Sequence, residues 1–177
     1  GGGSAYLYKE STNSWSTLAT GLSMGPYHNI AIYNPVHKIV LFGGGNDSAQ
    51  LYKLDATGKV TAIANAPALI GILQSVFTAD PASGKYLLFT SAGLVYEYDV
   101  ATNKWGTLPN ASIPMFNASG NRIMWRIAIP ISTYGVIAFL AEGGDTDTRV
   151  MLYRHASGQA IPVDTTPPAA PAQISVK

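Results

Sequence analysis

The chain has no cysteine in its 177 residues, so a disulfide framework, a thiolate metal centre and a cysteine nucleophile are all excluded. Charge is scarce: 12% of residues are charged and the formal net charge is +1. That balance gives no electrostatic footprint for nucleic acid or for an anionic membrane surface. The longest apolar stretch, 127–141, is shorter than a membrane-spanning helix requires and contains Pro130 and Gly135. Helical periodicity with capping residues is missing from every ten-residue window. So are the nucleophile elbow, the phosphate loop and the dinucleotide fingerprint. What the chain does have is 47% hydrophobic residues, ten tyrosines and three tryptophans. That is enough for a core, in residue types that favour strands and binding surfaces.

Three segments align: AYLYKESTNSWSTL from Ala5, QLYKLDATGKVTAI from Gln50 and VYEYDVATNKWGTL from Val95. Each reads as a strand, a turn of Asp, Thr, Asn, Gly or Ser, and a second short strand. Trp15 and Trp105 occupy the same place, which Val60 takes in the middle copy. A fourth copy, MLYRHASGQAIPV from Met151, keeps Tyr153 and lacks the tryptophan. Two further apolar strands joined by a tight turn precede each full copy: HNIAIYNPVHKIVLFGG, SVFTADPASGKYLLFTS and IAIPISTYGVIAFLAEGG.

Units of four short antiparallel strands, repeating at roughly 40–50 residues, predict an all-β chain and specifically a β-propeller. The glycines of IVLFGGG end the second strand of a unit, where the chain turns sharply and backbones approach closely. Trp15 and Trp105 are expected to pack between blades. FGGG, a strand with Tyr-Asp-like ends, a turn and a Trp together resemble the kelch repeat. The resemblance covers about residues 1–163. Thr90-Ser91 replaces the double glycine in one unit, and the last unit has no Trp. The pattern is therefore similar to the loose, galactose-oxidase-like branch of kelch propellers.

This reading gives about 3.5 blades: a half-blade at 1–20 and blades at 27–65, 71–109 and 122–163. GGGSAYLY at the start matches the glycine-to-tyrosine section of the second unit, as if the chain began inside a blade. One open sheet face would expose on the order of 400–500 Å² of apolar surface, or roughly 10 kcal/mol, about the whole stability of a domain. Blades from upstream sequence or from another chain are therefore the expected partners. The Pro-rich 164–177 reads as an extended linker with a possible first strand beyond it. It resembles the entry to fibronectin-type-III-like or Ig-like modules of secreted proteins, which implies an extracellular or cell-surface location.

Long links between strands gather on one face of such a meander: 21–28, 43–48, 65–71, 109–122 and 142–148. Binding residues concentrate on long loops held by a rigid scaffold. The candidate ligand-binding residues are therefore Tyr27, His28, Phe116, Asn117, Arg122, Trp125 and Arg126. Tyr27, Phe116 and Trp125 supply aromatic surface, and Arg126 and Arg122 supply planar cations that stack or clamp a carboxylate. Arg122 and Trp125 have a second reading, as anchors of their loop. No cofactor is called for, although Asp145 and Asp147 form an oxygen pair of the type that suits calcium. The copper-radical site that the resemblance brings to mind needs two tyrosines, two histidines and a crosslinking cysteine. Cysteine is absent and only His28 is on the long-loop face, so that site is not complete in this segment. The expected function is a non-catalytic propeller module that binds carbohydrate or a protein partner, with no nucleic acid and no membrane span. The alternative is part of an extracellular galactose-oxidase-like or glycan-active enzyme whose catalytic residues lie mainly outside the segment.

Overall fold

In the computed structural model, the residues described are 3–46, 48–70, 75–108, 127–142 and 148–155. They are almost entirely β. The first sheet pairs β1 (Gly3–Lys9) with β2 (Ser14–Leu22). The second is a meander of β3 (Ile30–Asn34), β4 (Ile39–Gly43), β5 (Leu51–Leu54) and β6 (Val60–Ala62). The third repeats it with β7 (Ser75–Ala79), β8 (Tyr86–Thr90), β9 (Val95–Asp99) and β10 (Lys104–Leu108). The fourth has β11 (Ile127–Ile131), β12 (Val136–Glu142) and β13 (Thr148–Tyr153). Every pairing is antiparallel between neighbours in sequence. The Pro-rich segment 164–177 lies outside the described residues. Among them, no helix is long and apolar enough to cross a membrane.

Tight turns close one end of each meander, and buried or acceptor side chains shape them. Asn34 is fully buried; its Oδ1 accepts from the N–H groups of Val36 and His37, and its Nδ2 donates to Gly84 O in the next sheet at 2.6 Å. Asp55 and Asp99 each cap their own turn in the same way. Their carboxyls are held below the usual range, Asp55 chiefly by the Thr57 hydroxyl and Asp99 chiefly by the Thr102 N–H.

Two apolar layers fill the spaces between sheets. The first packs Ile39, Leu41 and Leu51 of the second sheet on Phe77, Tyr86, Leu88 and Tyr98 of the third. The second packs Val76, Leu87, Phe89 and Val95 of the third on Ile137 and Phe139 of the fourth. The third sheet is thus covered on both faces, and every residue of β7 and β8 is buried. That explains why their sequences, SVFTA and YLLFT, are nearly continuous apolar runs instead of alternating ones. Trp105 packs against the first layer, as expected of a residue between sheets. Trp15 does not: it is 70% exposed, because no described sheet lies on its side. The outer face of the fourth sheet, Ile127, Ile129, Leu140, Val150 and Leu152, is likewise exposed.

Candidate functional site

At the end opposite the tight turns, segments 23–29 and 44–50 are knitted together by backbone. Gly43, Gly44 and Gly45 adopt φ of +126°, +66° and +94°, which side chains with a Cβ rarely tolerate. Gly25 N donates to Gly44 O at 2.8 Å, Gly45 N to Ile70 O at 2.7 Å, and Asn46 N to Tyr27 O at 3.0 Å. A Cβ on Gly45 would lie 2.4 Å from Tyr27 O, and one on Gly25 would lie 2.3 Å from Asn46 O. The glycine run is therefore needed twice, for its dihedrals and for this close approach. Asn29 Nδ2 adds two bonds, donating to Gly25 O and Gly44 O at 3.0 Å each.

That bracket fixes what it carries. His28 has φ +62°, in the left-handed region that costs a residue with a Cβ roughly 1–2 kcal/mol. Its Nδ1 lies 2.8 Å from Asn46 Oδ1. The amide oxygen accepts, so Nδ1 carries the proton, which leaves Nε2 as the ring's acceptor position. Tyr27 is 67% exposed, its ring 6.4 Å from the imidazole. Beside the bracket an apolar groove of about 400 Å³ runs between the first and second sheets; Asn29, Met24, Tyr6 and Phe42 are among its walls. The third sheet shows the contrast. Where Thr90-Ser91 stands in place of the double glycine, the link is a tight turn closed by Thr90 Oγ1 on Leu94.

Of the residues singled out in the sequence, Tyr27 and His28 are brought together here. Phe116, Asn117, Arg122, Trp125, Arg126, Asp145 and Asp147 lie outside the described residues. Among the described residues, no three His, Asp or Glu side chains gather in a metal-ligating group. Asn46, one of the loop residues of the long-link face, turns out to be the partner that orients His28.

A second polar cluster escaped sequence reasoning. His155 is 4% exposed between the third and fourth sheets, with Nε2 2.5 Å from Glu97 Oε2. The other Glu97 oxygen takes the Lys85 ammonium. Tyr153 Oη lies 3.3 Å from His155 Nδ1. Burial, and then the charges of Asp80 and Glu97, push the Tyr153 phenol above its ordinary pKa, so it stays a neutral hydrogen-bonding group. Asp80 is fully buried, and its Oδ2 accepts from Ser83 N and Oγ. This cluster lies at the interface of the third and fourth sheets, with Lys85 and Glu97 partly exposed, and fastens one sheet to the other.

No protein-family model matches the chain, and no curated protein matches it. Among solved structures it is similar to a copper-bound fungal alcohol oxidase of the AA5 family, noted for catalytic diversity within that family. The identity is 14% and the TM-score 0.48, over 90% of this chain and 37% of the oxidase. The likeness is distant, and this chain spans little more than a third of that enzyme's length.

Proposed function

We propose that the four sheets are successive blades of a kelch-type β-propeller, and that the chain is a binding module of a secreted, multi-domain protein that takes carbohydrate on its long-link face. The observation that carries the reading is the Tyr27–His28–Asn46 group. An exposed aromatic ring stands beside an imidazole oriented by the Asn46 side chain, both carried on the glycine-rich backbone bracket. Aromatic faces receive sugar C–H groups, and an oriented imidazole nitrogen accepts from a hydroxyl. Strain at His28 is stored where the ligand would sit, as at other binding sites. On the same face Phe116, Asn117, Trp125 and Arg126 are proposed to extend the platform.

The test is calorimetry against a panel of neutral oligosaccharides. For the sugar that binds, Tyr27→Ala should weaken affinity at least about tenfold, a loss of roughly 1.4 kcal/mol, with an unchanged melting temperature. Asn46→Ala should weaken it less, because it frees the imidazole without removing the ring. Equal affinity for Tyr27→Ala and the parent chain, or no binding across the panel, overturns the reading.

A further inference from the structure

The third sheet holds the second by a small device. Tyr98 and Trp105 face each other across β9 and β10, ring centroids 5.1 Å apart at 46°. Tyr98 Oη donates to Asn103 Oδ1 at 2.8 Å, and Asn103 sits in the turn with φ +55°. The same Oδ1 accepts from Ala64 N at 2.9 Å, and Trp105 Nε1 donates to Ala64 O at 3.2 Å. Ala64 follows β6, between the buried Ile63 and Ala66. One residue of an extended segment is therefore gripped by both its N–H and its C=O. The two hydrogen bonds fix the segment, and Ala64 is partly buried against the first apolar layer.

The first sheet carries the same device, open. Tyr8 and Trp15 face each other across β1 and β2, 5.1 Å apart at 44°. Tyr8 Oη donates to Asn13 Oδ1 at 2.8 Å, and Asn13 has φ +46°. The spacings Tyr8, Asn13, Trp15 and Tyr98, Asn103, Trp105 are identical. Yet Tyr8 and Trp15 are exposed. Asn13 Oδ1 has a second lone pair to offer, and Trp15 Nε1 is a donor with no hydrogen-bond partner among the described residues.

We infer that Tyr8, Asn13 and Trp15 form a docking site for the extended exit segment of a further antiparallel sheet, with one small residue accepting from Trp15 Nε1 and donating to Asn13 Oδ1. This rests on the proposed stacking of sheets as blades and is independent of what the long-link face binds. The internal copy names the chemistry of the occupant: a segment like Ile63-Ala64-Asn65-Ala66, apolar, small, polar, small.

The experiment attaches a second copy of residues 60–68, VTAIANAPA, to the N-terminus of the whole chain through a flexible Gly/Ser linker. Tethering raises the effective concentration to about millimolar, enough to reveal a weak contact. Trp15 is read from the difference in tryptophan emission and acrylamide quenching between each chain and its Trp15→Phe variant. The expected result is a blue shift and protection of Trp15 on tethering. Asn13→Ala, or Ala64→Pro in the tethered copy, each removes one hydrogen bond to the docked segment and should lower the docked-to-free ratio roughly fivefold. Equal protection by a scrambled tether, or indifference to both substitutions, would show mere apolar adhesion and overturn the inference. Concentration-dependent burial of Trp15 in the untethered chain, seen by sedimentation, would assign the site to a second copy and overturn the occupant named here. Protection by an oligosaccharide instead of the tether would do the same. That last outcome would also place sugar binding away from Tyr27; the others leave Tyr27 untouched, so the carbohydrate reading is judged separately.

Discussion

The interfaces on the two sides of the third sheet have the same layout and are fastened differently. Toward the second sheet, each cross-sheet hydrogen bond among the described residues has a backbone group on one side: Asn34 to Gly84 O, Asn103 and Trp105 to Ala64, and Tyr86 Oη to Ile32 O at 3.2 Å. Toward the fourth sheet, side chain meets side chain. Phe89 sets its edge on Phe139 and Tyr153, at 5.1 and 5.7 Å, and His155 reaches Glu97. A backbone carbonyl is present whatever residue occupies the position, and a backbone N–H in every residue but proline, so such a contact constrains the sequence mainly on one side. A side-chain pair constrains two positions at once.

The largest expected effect tests the side-chain interface. Phe89→Ala should cost about 3–5 kcal/mol, the usual range for emptying a buried aromatic site. Leu152→Ala, on the exposed face of the same fourth sheet, should stay within about 0.5 kcal/mol. Chemical denaturation of both variants decides it. Comparable losses would mean that the outer face is covered in solution and that the two sides of the fourth sheet are alike.

Glu97→Gln comes next. The amide keeps the size of the side chain but removes the charge shared by Lys85 and His155. Charge-assisted bonds of this kind contribute about 1.5–3 kcal/mol, so a loss in that range is expected. A change too small to measure would show that the network adds nothing beyond the apolar contacts, and the contrast between the two interfaces would shrink to aromatic geometry.

The smallest effect is a control. Asp55 and Asp99 hold their carboxyl pKa below the ordinary value, so their turns favour the ionised form. A lowered folded pKa gives stability that is present above the unfolded carboxylate pKa of about 3.9 and is lost as pH falls through the folded value. The amide resonances of Thr57, Ala101 and Thr102 should therefore hold steady on acidification until below about pH 4 and then move together. Midpoints at the unperturbed value would remove the turns as an acid-sensitive element of either sheet.

Much of the fold was legible because its residues recur. The strand–turn–strand copies marked the second halves of the sheets, and the glycine run marked a close approach that the structure places at Gly25, Tyr27 and Ile70. Their place on a long link also singled out Tyr27 and His28. It could not supply the pairing of His28 with Asn46, since many loop residues were equally eligible. The Glu97–His155 contact was invisible for a stronger reason. The two are 58 residues apart, and alternation within a strand says which face a residue takes, not what stands opposite. Trp15 was assigned a packed position on the strength of Trp105, but a repeat predicts a neighbour only where the neighbouring sheet is present.

The Ala64 clamp also has a timetable. Its grips come from residues 39 and 41 positions further along the chain. Ribosomes add roughly 5–20 residues per second, so the exit of the second sheet waits about 2–8 s for the turn that secures it. During that interval the apolar face of β4 and β5 is covered in steps, first by Phe77 and then by Tyr86 and Leu88, before the clamp closes over the exit segment.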